Sequence, residues 1–316
     1  MQALLKHAAL GCLILLCGAV HFFAQPPRQQ QVRTVTVPIS IFTKKELRGR
    51  EPEEFVQADR LLVNEDNDEQ SILSIKSVSD SPLSIAILIQ DDLASGFNLQ
   101  IKDIQRFING LPRGTRVMVA YLRGGAPEIR QRFTEDREAA ANSLRIVTGS
   151  PSSAPRSPYS GITEIINRFD ATPIGRRAIL LFSDGLDTSE GFNLASITQS
   201  ADLDQAILKS QRRSAAVYSF YYPTATTERS SSSILSLASQ GALEKLSEQT
   251  GGRAFAQGLS APVSFVPFFE DMTLSLDRQF SLTYLSTHMN KGYHKVRVMS
   301  TNPEIKIVHP KGYYLR

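Results

Sequence analysis

Two nearly uninterrupted aliphatic runs constrain this chain more than any other feature: Leu83-Ser84-Ile85-Ala86-Ile87-Leu88-Ile89 and Arg177-Ala178-Ile179-Leu180-Leu181-Phe182. A strand with one wet face alternates apolar with polar residues, so continuous burial implies cover on both faces, as in a parallel sheet with helices above and below. Further buried runs stand at Arg116–Tyr121 and Ala215–Tyr222, and Gly251-Gly252-Arg253-Ala254-Phe255 leads into another. Helical patterns separate them near 99–108, 135–147, 160–169, 199–213, 235–249 and 262–276. Strands and helices alternating at this rhythm specify a doubly wound α/β fold with a mainly parallel sheet.

The two ends of the chain read differently. Val32-Arg33-Thr34-Val35-Thr36-Val37 and Ile39–Phe42 alternate with period two, and short stretches at Phe55–Val56, Leu61–Val63 and Ile72–Ile75 follow between charged or Asn/Asp-rich turns such as Asn64-Glu65-Asp66-Asn67-Asp68. The same alternation returns at Gln279–Tyr284, Tyr293–Val298 and Ile305–Val308, with Asn290-Lys291-Gly292 as the turn between the first two. Left apart, these segments would expose unpaired strand edges, so 32–80 and 278–316 are expected to pack together as one small β-rich unit.

The first residues have the layout of a signal peptide: Lys6, an apolar stretch from Ala8 to Val20, then Ala24 as the cleavage position. The apolar stretch falls short of the ~20 residues of a spanning helix. A membrane is therefore expected only if this segment stays uncleaved. Residues 25–31, rich in Gln and Pro, read as a linker. Cys12 and Cys17 are the only cysteines and both precede that cut, so the exported chain would be stabilised by its core and not by disulfides. A formal charge of +4 over 316 residues, with no block of like charges, argues against nucleic acid as a partner.

In an open parallel sheet, ligands meet the loops at the carboxyl ends of the strands. Those loops read Gln90-Asp91-Asp92-Leu93-Ala94-Ser95-Gly96 and Ser183-Asp184-Gly185-Leu186-Asp187-Thr188-Ser189. They resemble the von Willebrand factor A family, which carries Asp-x-Ser-x-Ser after its first strand, a Thr in a later loop and Asp-Gly after its fourth strand. Thr250–Phe255 is similar to the family's turn before its last central strand. Gln279–Tyr284, Tyr293–Val298 and Lys311-Gly312-Tyr313-Tyr314 resemble the tail of a bacterial subgroup of exported proteins with such domains, known mainly from Acidobacteria. The resemblance implies a von Willebrand factor A-like domain over 81–277, built as a Rossmann-like sheet.

The resemblance also implies a cation site holding Mg2+ or another divalent ion through Asp91, Ser95, Ser160 and Asp184. Aligning Asp91 with the first Asp makes Ser95 the second serine and leaves Leu93, which offers no oxygen, at the first; shifting by one puts Gln90 at the aspartate position. Ser160 stands where the family has its Thr. The set is thus degenerate for a hard ion that wants oxygen ligands throughout. Asp91 and Asp184 are expected close together, whereas Asp92 and Asp187 read as turn formers and helix caps.

Other chemistry is weaker. His288, His294 and His309 lack the spacing of zinc ligands and read as exposed strand or turn histidines. Gly124-Gly125 reads as a strand terminator. There is no Gly-x-Ser-x-Gly elbow, and a nucleotide fold would need glycines after the first strand, where Gln90-Asp91-Asp92 would repel phosphate. The serine-rich stretches 149–157 and 229–233 read as loops. The expected function is an exported, non-enzymatic module that binds a protein partner through the loops around Asp91, Ser95, Ser160 and Asp184. The alternative is a metal-assisted hydrolase using Asp91, Asp92 and Asp184.

Overall fold

The structure is a computed structural model, and it describes residues 31–44, 61–78, 81–149, 156–189, 191, 200–224 and 233–315. The signal segment, nearly all of the linker, the Phe55–Val56 stretch and most of both serine-rich stretches lie outside the described residues. Among those described, no helix is long and apolar enough to cross a bilayer.

The aliphatic runs form the centre of a six-stranded sheet. Its strands are β4 (Leu83–Gln90), β5 (Arg116–Arg123), β6 (Ala126–Thr134), β7 (Arg176–Ser183), β8 (Ala215–Tyr221) and β9 (Ala254–Phe255), in the order β6-β5-β4-β7-β8-β9. All neighbours run parallel except β5 and β6. All eight residues of β4 are buried, as the unbroken run requires. Ile85, Ile87 and Ile89 pack on one face with Phe97 and Phe182; Ala86 and Leu88 pack on the other with Ile162 and Phe169. The covering helices are α1 (Ile101–Gly110), α2 (Arg137–Asn142), α3 (Pro158–Ile165), α4 (Ala201–Arg212), α5 (Ser233–Thr250) and α6 (Val266–Asp277).

One local reading holds with an addition and another changes: Gly124-Gly125 ends β5 as expected, but a further strand follows it. Gly124 and Gly125, both at positive φ, turn the chain back into β6, an antiparallel edge strand whose half-exposed residues give little periodic signal. The helix expected over 135–147 stops at Asn142. Beyond it the Tyr121 hydroxyl accepts from the Arg145 amide at 2.8 Å and donates to its carbonyl at 2.5 Å, while the Thr148 amide donates to the Asp91 carbonyl at 3.0 Å. Tertiary contacts thus claim the backbone groups a longer helix would use.

The chain ends interleave in a second, seven-stranded sheet in which every pairing is antiparallel. It contains β1 (Arg33–Thr43), β2 (Leu61–Glu65), β3 (Asp68–Ser77), β10 (Gln279–Ser286), β11 (Gly292–Ser300), β12 (Ile305–Val308) and β13 (Gly312–Leu315), in the order β12-β1-β10-β3-β2-β11-β13. Alternate residues Val35, Val37, Ile39, Leu61, Val63, Leu282, Tyr284, Val296 and Val298 make its core. The sheet curls enough for Arg33 of β1 to donate to the Tyr313 hydroxyl of edge strand β13.

Candidate functional site

In the six-stranded sheet the connections leave β4 in one direction, toward β5, and those after β7 run the other way, toward β8, so the strand order reverses between β4 and β7. The loops that follow these two strands diverge there and leave a crevice at their carboxyl ends. Asp91 and Asp92 enter it after β4 and Asp184 after β7, at 4, 7 and 0% exposure.

Alternation at the end of β4 sends the two neighbouring aspartates opposite ways. Asp91 goes to the Tyr121 side, where its Oδ1 lies 2.6 Å from Arg145 Nη1. That guanidinium also stacks over the Tyr121 ring at 4.1 Å. Burial, ahead of the opposing pull of Arg145, pushes the Tyr121 hydroxyl up to about 12. Asp92 goes to the other side, where Arg156 Nε lies 3.2 Å from its Oδ2 and Arg156 Nη2 lies 3.3 Å from Asp184 Oδ2. The carboxylates that share a neighbour are therefore Asp92 and Asp184. The expected Asp91–Asp184 pair is held by two different arginines, and Asp92 is more than a turn former.

A buried network fixes this arrangement. Gln90 Nε2 donates to Asp92 Oδ1 at 2.9 Å, and Gln90 Oε1 accepts from Ser183 Oγ at 2.6 Å. Asp184 Oδ1 accepts from the Leu186 amide at 3.1 Å, and Asp184 Oδ2 accepts from Thr224 Oγ1 at 3.1 Å. Burial raises the Asp184 pKa above the ordinary aspartate value; Arg156 and the Leu186 amide pull against that rise, and the charge of Asp92 adds to it. Gly185 holds φ at +73°, and a Cβ there would stand 2.6 Å from the Ser239 carbonyl, so the Asp-Gly pair is required by sterics as well as by charge. Asp187 ties the neighbouring turns together, accepting from Ser157 Oγ at 3.0 Å and the Ser189 amide at 2.9 Å.

The other residues expected at a cation are elsewhere in purpose. Ser160 donates to the carbonyls of Gly125 and Ser157, at 3.2 and 2.9 Å. Ser95 is exposed at the start of a 3-10 turn. Leu93 is fully buried and forms a backbone bridge with Thr224. A hydrated divalent ion needs a near-octahedral shell of oxygens. With a guanidinium already between Asp92 and Asp184 and an apolar side chain at Leu93, the residues present do not fit one.

A second polar cluster lies at one end of the seven-stranded sheet, where the sequence offered only turns and exposed histidines. The alternation of β2 turns Leu61, Val63 and Glu65 inward, and that of β11 does the same for His294, Val296 and Val298. Glu65 is fully buried and His294 is 4% exposed. Glu65 Oε1 accepts from Tyr313 at 2.6 Å and Ser286 at 3.0 Å, with Arg33 Nη2 at 3.5 Å. Asp66 Oδ2 lies 2.8 Å from His294 Nδ1 and Asp66 Oδ1 accepts from the Lys295 amide at 2.8 Å. Burial raises the Tyr313 and Tyr284 hydroxyls well above their ordinary values, and the charge of Glu65 adds to both. The signal in the sequence was the inward parity of Glu65 in Leu-Leu-Val-Asn-Glu and of His294 before Val296 and Val298.

No family model matches the chain, and no curated protein matches it. Among solved structures it is similar to an aerotolerance-related membrane protein from Bacteroides fragilis, at 12% identity over 62% of this chain and 98% of that one, with a TM-score of 0.43. It is similar to a von Willebrand factor type A protein from Catenulispora acidiphila at 11% identity, over 83% and 75% of the two chains, with a TM-score of 0.41. The SpRpn10 VWA domain matches at 12% identity, over 56% and 92%, with a TM-score of 0.38.

Proposed function

We propose that the chain is an exported, non-catalytic von Willebrand factor A-like module that binds a protein partner through the loops at the carboxyl ends of β4, β5 and β7, without a cation. The observation that supports this reading is Arg156. Two carboxylates about 4 Å apart repel by about 4 kcal/mol at an effective dielectric of 20. The guanidinium, 3.2 and 3.3 Å from Asp92 and Asp184, places one positive charge between them where a divalent ion would otherwise sit. It belongs to the chain, so the rim above it is organised before any partner arrives, which lowers the ordering cost of association. The exposed Ser95 and half-buried Ser160 border that rim.

Hydrolysis by Asp91, Asp92 and Asp184 would need carboxylates able to hold a metal and its water. Asp91 is held by Arg145, and Asp92 and Asp184 by Arg156.

The test places a photo-crosslinking residue at Ser95 and, as a control on the other sheet, at the exposed Leu73. In the producing cell, Ser95 should give a discrete protein adduct that persists in chelator, and Leu73 should not. An adduct at Leu73 alone, or one at Ser95 abolished by chelator, overturns the reading.

A further inference from the structure

We propose that the buried end of the seven-stranded sheet binds a transition-metal ion of the zinc class through Glu65, Asp66, His288 and His294. One donor atom from each of Glu65, Asp66 and His288 lies within 4.8 Å of the others. Proximity of acidic groups alone would mean little. What distinguishes this cluster is that two of its buried atoms, Glu65 Oε2 and His288 Nδ1, have no hydrogen-bond partner, on side chains whose other atoms are engaged. Glu65 is fully buried, and an unpartnered carboxylate oxygen there costs free energy that a bound cation would offset.

The proton positions follow from the partners. His288 Nε2 lies 3.2 Å from Asp68 Oδ2, which can only accept, so the proton sits on Nε2 and the Nδ1 lone pair faces Glu65 Oε1 at 3.9 Å. His294 Nε2 lies 2.7 Å from the Asn290 carbonyl, again an acceptor, so it too carries the proton. His294 Nδ1 then confronts Asp66 Oδ2 at 2.8 Å and Glu65 Oε1 at 3.3 Å. A lone pair pressed against two carboxylates repels them unless a cation lies between. A single metal ion would take both imidazole nitrogens together with one oxygen each from Glu65 and Asp66.

Charge and donor type select the ion. Glu65 pairs with Arg33, whereas Asp66 and Asp68 pair with the imidazoles of His294 and His288, so the three carboxylates with one guanidinium leave an excess that a divalent ion balances. Two imidazole nitrogens with two carboxylates suit zinc better than magnesium or calcium, which prefer oxygen throughout. Asp68 and Asn290 supply the outer hydrogen bonds that orient metal-bound histidines.

The experiment titrates the tag-free, chelator-treated full chain with zinc chloride by calorimetry, with cobalt(II) absorption as a spectroscopic probe of coordination. One zinc per chain is expected, with a rise in melting temperature. His288→Ala, at a half-buried turn position, should weaken binding at least tenfold while circular dichroism shows an intact fold. Asp68→Asn should weaken it by about 10- to 100-fold. Absence of zinc binding overturns the proposal. So does binding that survives both His288→Ala and His294→Ala, or nitrogen chemical shifts showing His294 doubly protonated and unmoved by zinc.

Discussion

Each sheet buries carboxylates at one end, and the two clusters resolve the cost in opposite ways. Above the parallel sheet, Asp92 and Asp184 meet the guanidinium of Arg156, and Gln90, Thr224 and the Leu186 amide donate further hydrogen bonds to them. In the antiparallel sheet, Glu65 meets Arg33 and the Tyr313 phenol and Asp66 meets His294, yet Glu65 Oε2 and His288 Nδ1 have no hydrogen-bond partner. Each cluster sets one guanidinium against two carboxylates, but in the first the carboxylate oxygen without a hydrogen bond, Asp92 Oδ2, lies 3.2 Å from Arg156 Nε, whereas in the second it is Glu65 Oε2, beside the equally unpartnered His288 Nδ1. Buried ionic groups are tolerated when both partner and hydrogen bonds are present, so the first cluster reads as architecture and the second as a place for a ligand.

Removing Arg156 gives the largest effect and breaks the comparison outright. Arg156→Ala leaves two buried carboxylates facing each other, and loss of one partner of a buried ion pair costs about 3–5 kcal/mol. Urea unfolding should show that loss, and adding Asp92→Asn with Asp184→Asn should recover much of it. Millimolar magnesium should raise the melting temperature of Arg156→Ala but not of the wild type. If the wild type gains as much as the variant, the guanidinium is not the cation of this crevice.

Leu93→Ser is the next step down. In the family pattern it restores a missing hydroxyl, but here Leu93 is fully buried against the core that includes Phe97. Truncating a buried leucine costs about 2–5 kcal/mol, and the new hydroxyl adds a polar group to satisfy. With Arg156 in place, the variant should be destabilised and still indifferent to magnesium. Magnesium stabilisation of Leu93→Ser alone would show that one oxygen, and not the arginine, decides occupancy.

These contrasts also mark what the amino-acid sequence could convey. The runs around Ile87 and Leu180 announced a sheet covered on both faces, because burial on both sides leaves no other pattern. Asp184-Gly185 was legible as well, since charge and positive φ act locally. Arg156 was not: it comes from a serine- and proline-rich stretch, and its role depends on which loops the strand order brings together. Glu65 was assigned to the Asn64–Asp68 turn, although one more step of the Leu61–Val63 alternation puts it inside. His294 was read as exposed although its register with Val296 and Val298 faces the core. In both cases residue type outweighed parity, and the tertiary context settled the matter the other way.

The smallest effect sharpens the comparison through its sign. Asp184 and His309, one in each part of the molecule, are both shifted toward their neutral forms chiefly by burial: the aspartate upward, the histidine downward from 6.5. His309 Nε2 accepts from the Val298 amide at 3.1 Å, and its Nδ1, 2.8 Å from the Pro310 carbonyl, therefore carries the proton, so the neutral ring suits both contacts. As pH falls through 6.5 the unfolded chain takes up this proton before the folded one, and stability is lost until the lower folded pKa is passed. For Asp184 the folded chain takes up the proton first, so stability is gained as pH falls through its raised pKa toward the ordinary aspartate value of 3.8. One group contributes a slope of at most about 1.4 kcal/mol per pH unit. Unfolding free energies measured between pH 7.5 and 3.5 should therefore show His309→Gln removing part of the loss on the near-neutral limb. Asp184→Asn should remove a gain on the acid limb. If both variants change the same limb, or with the same sign, burial is not the common cause of the two shifts.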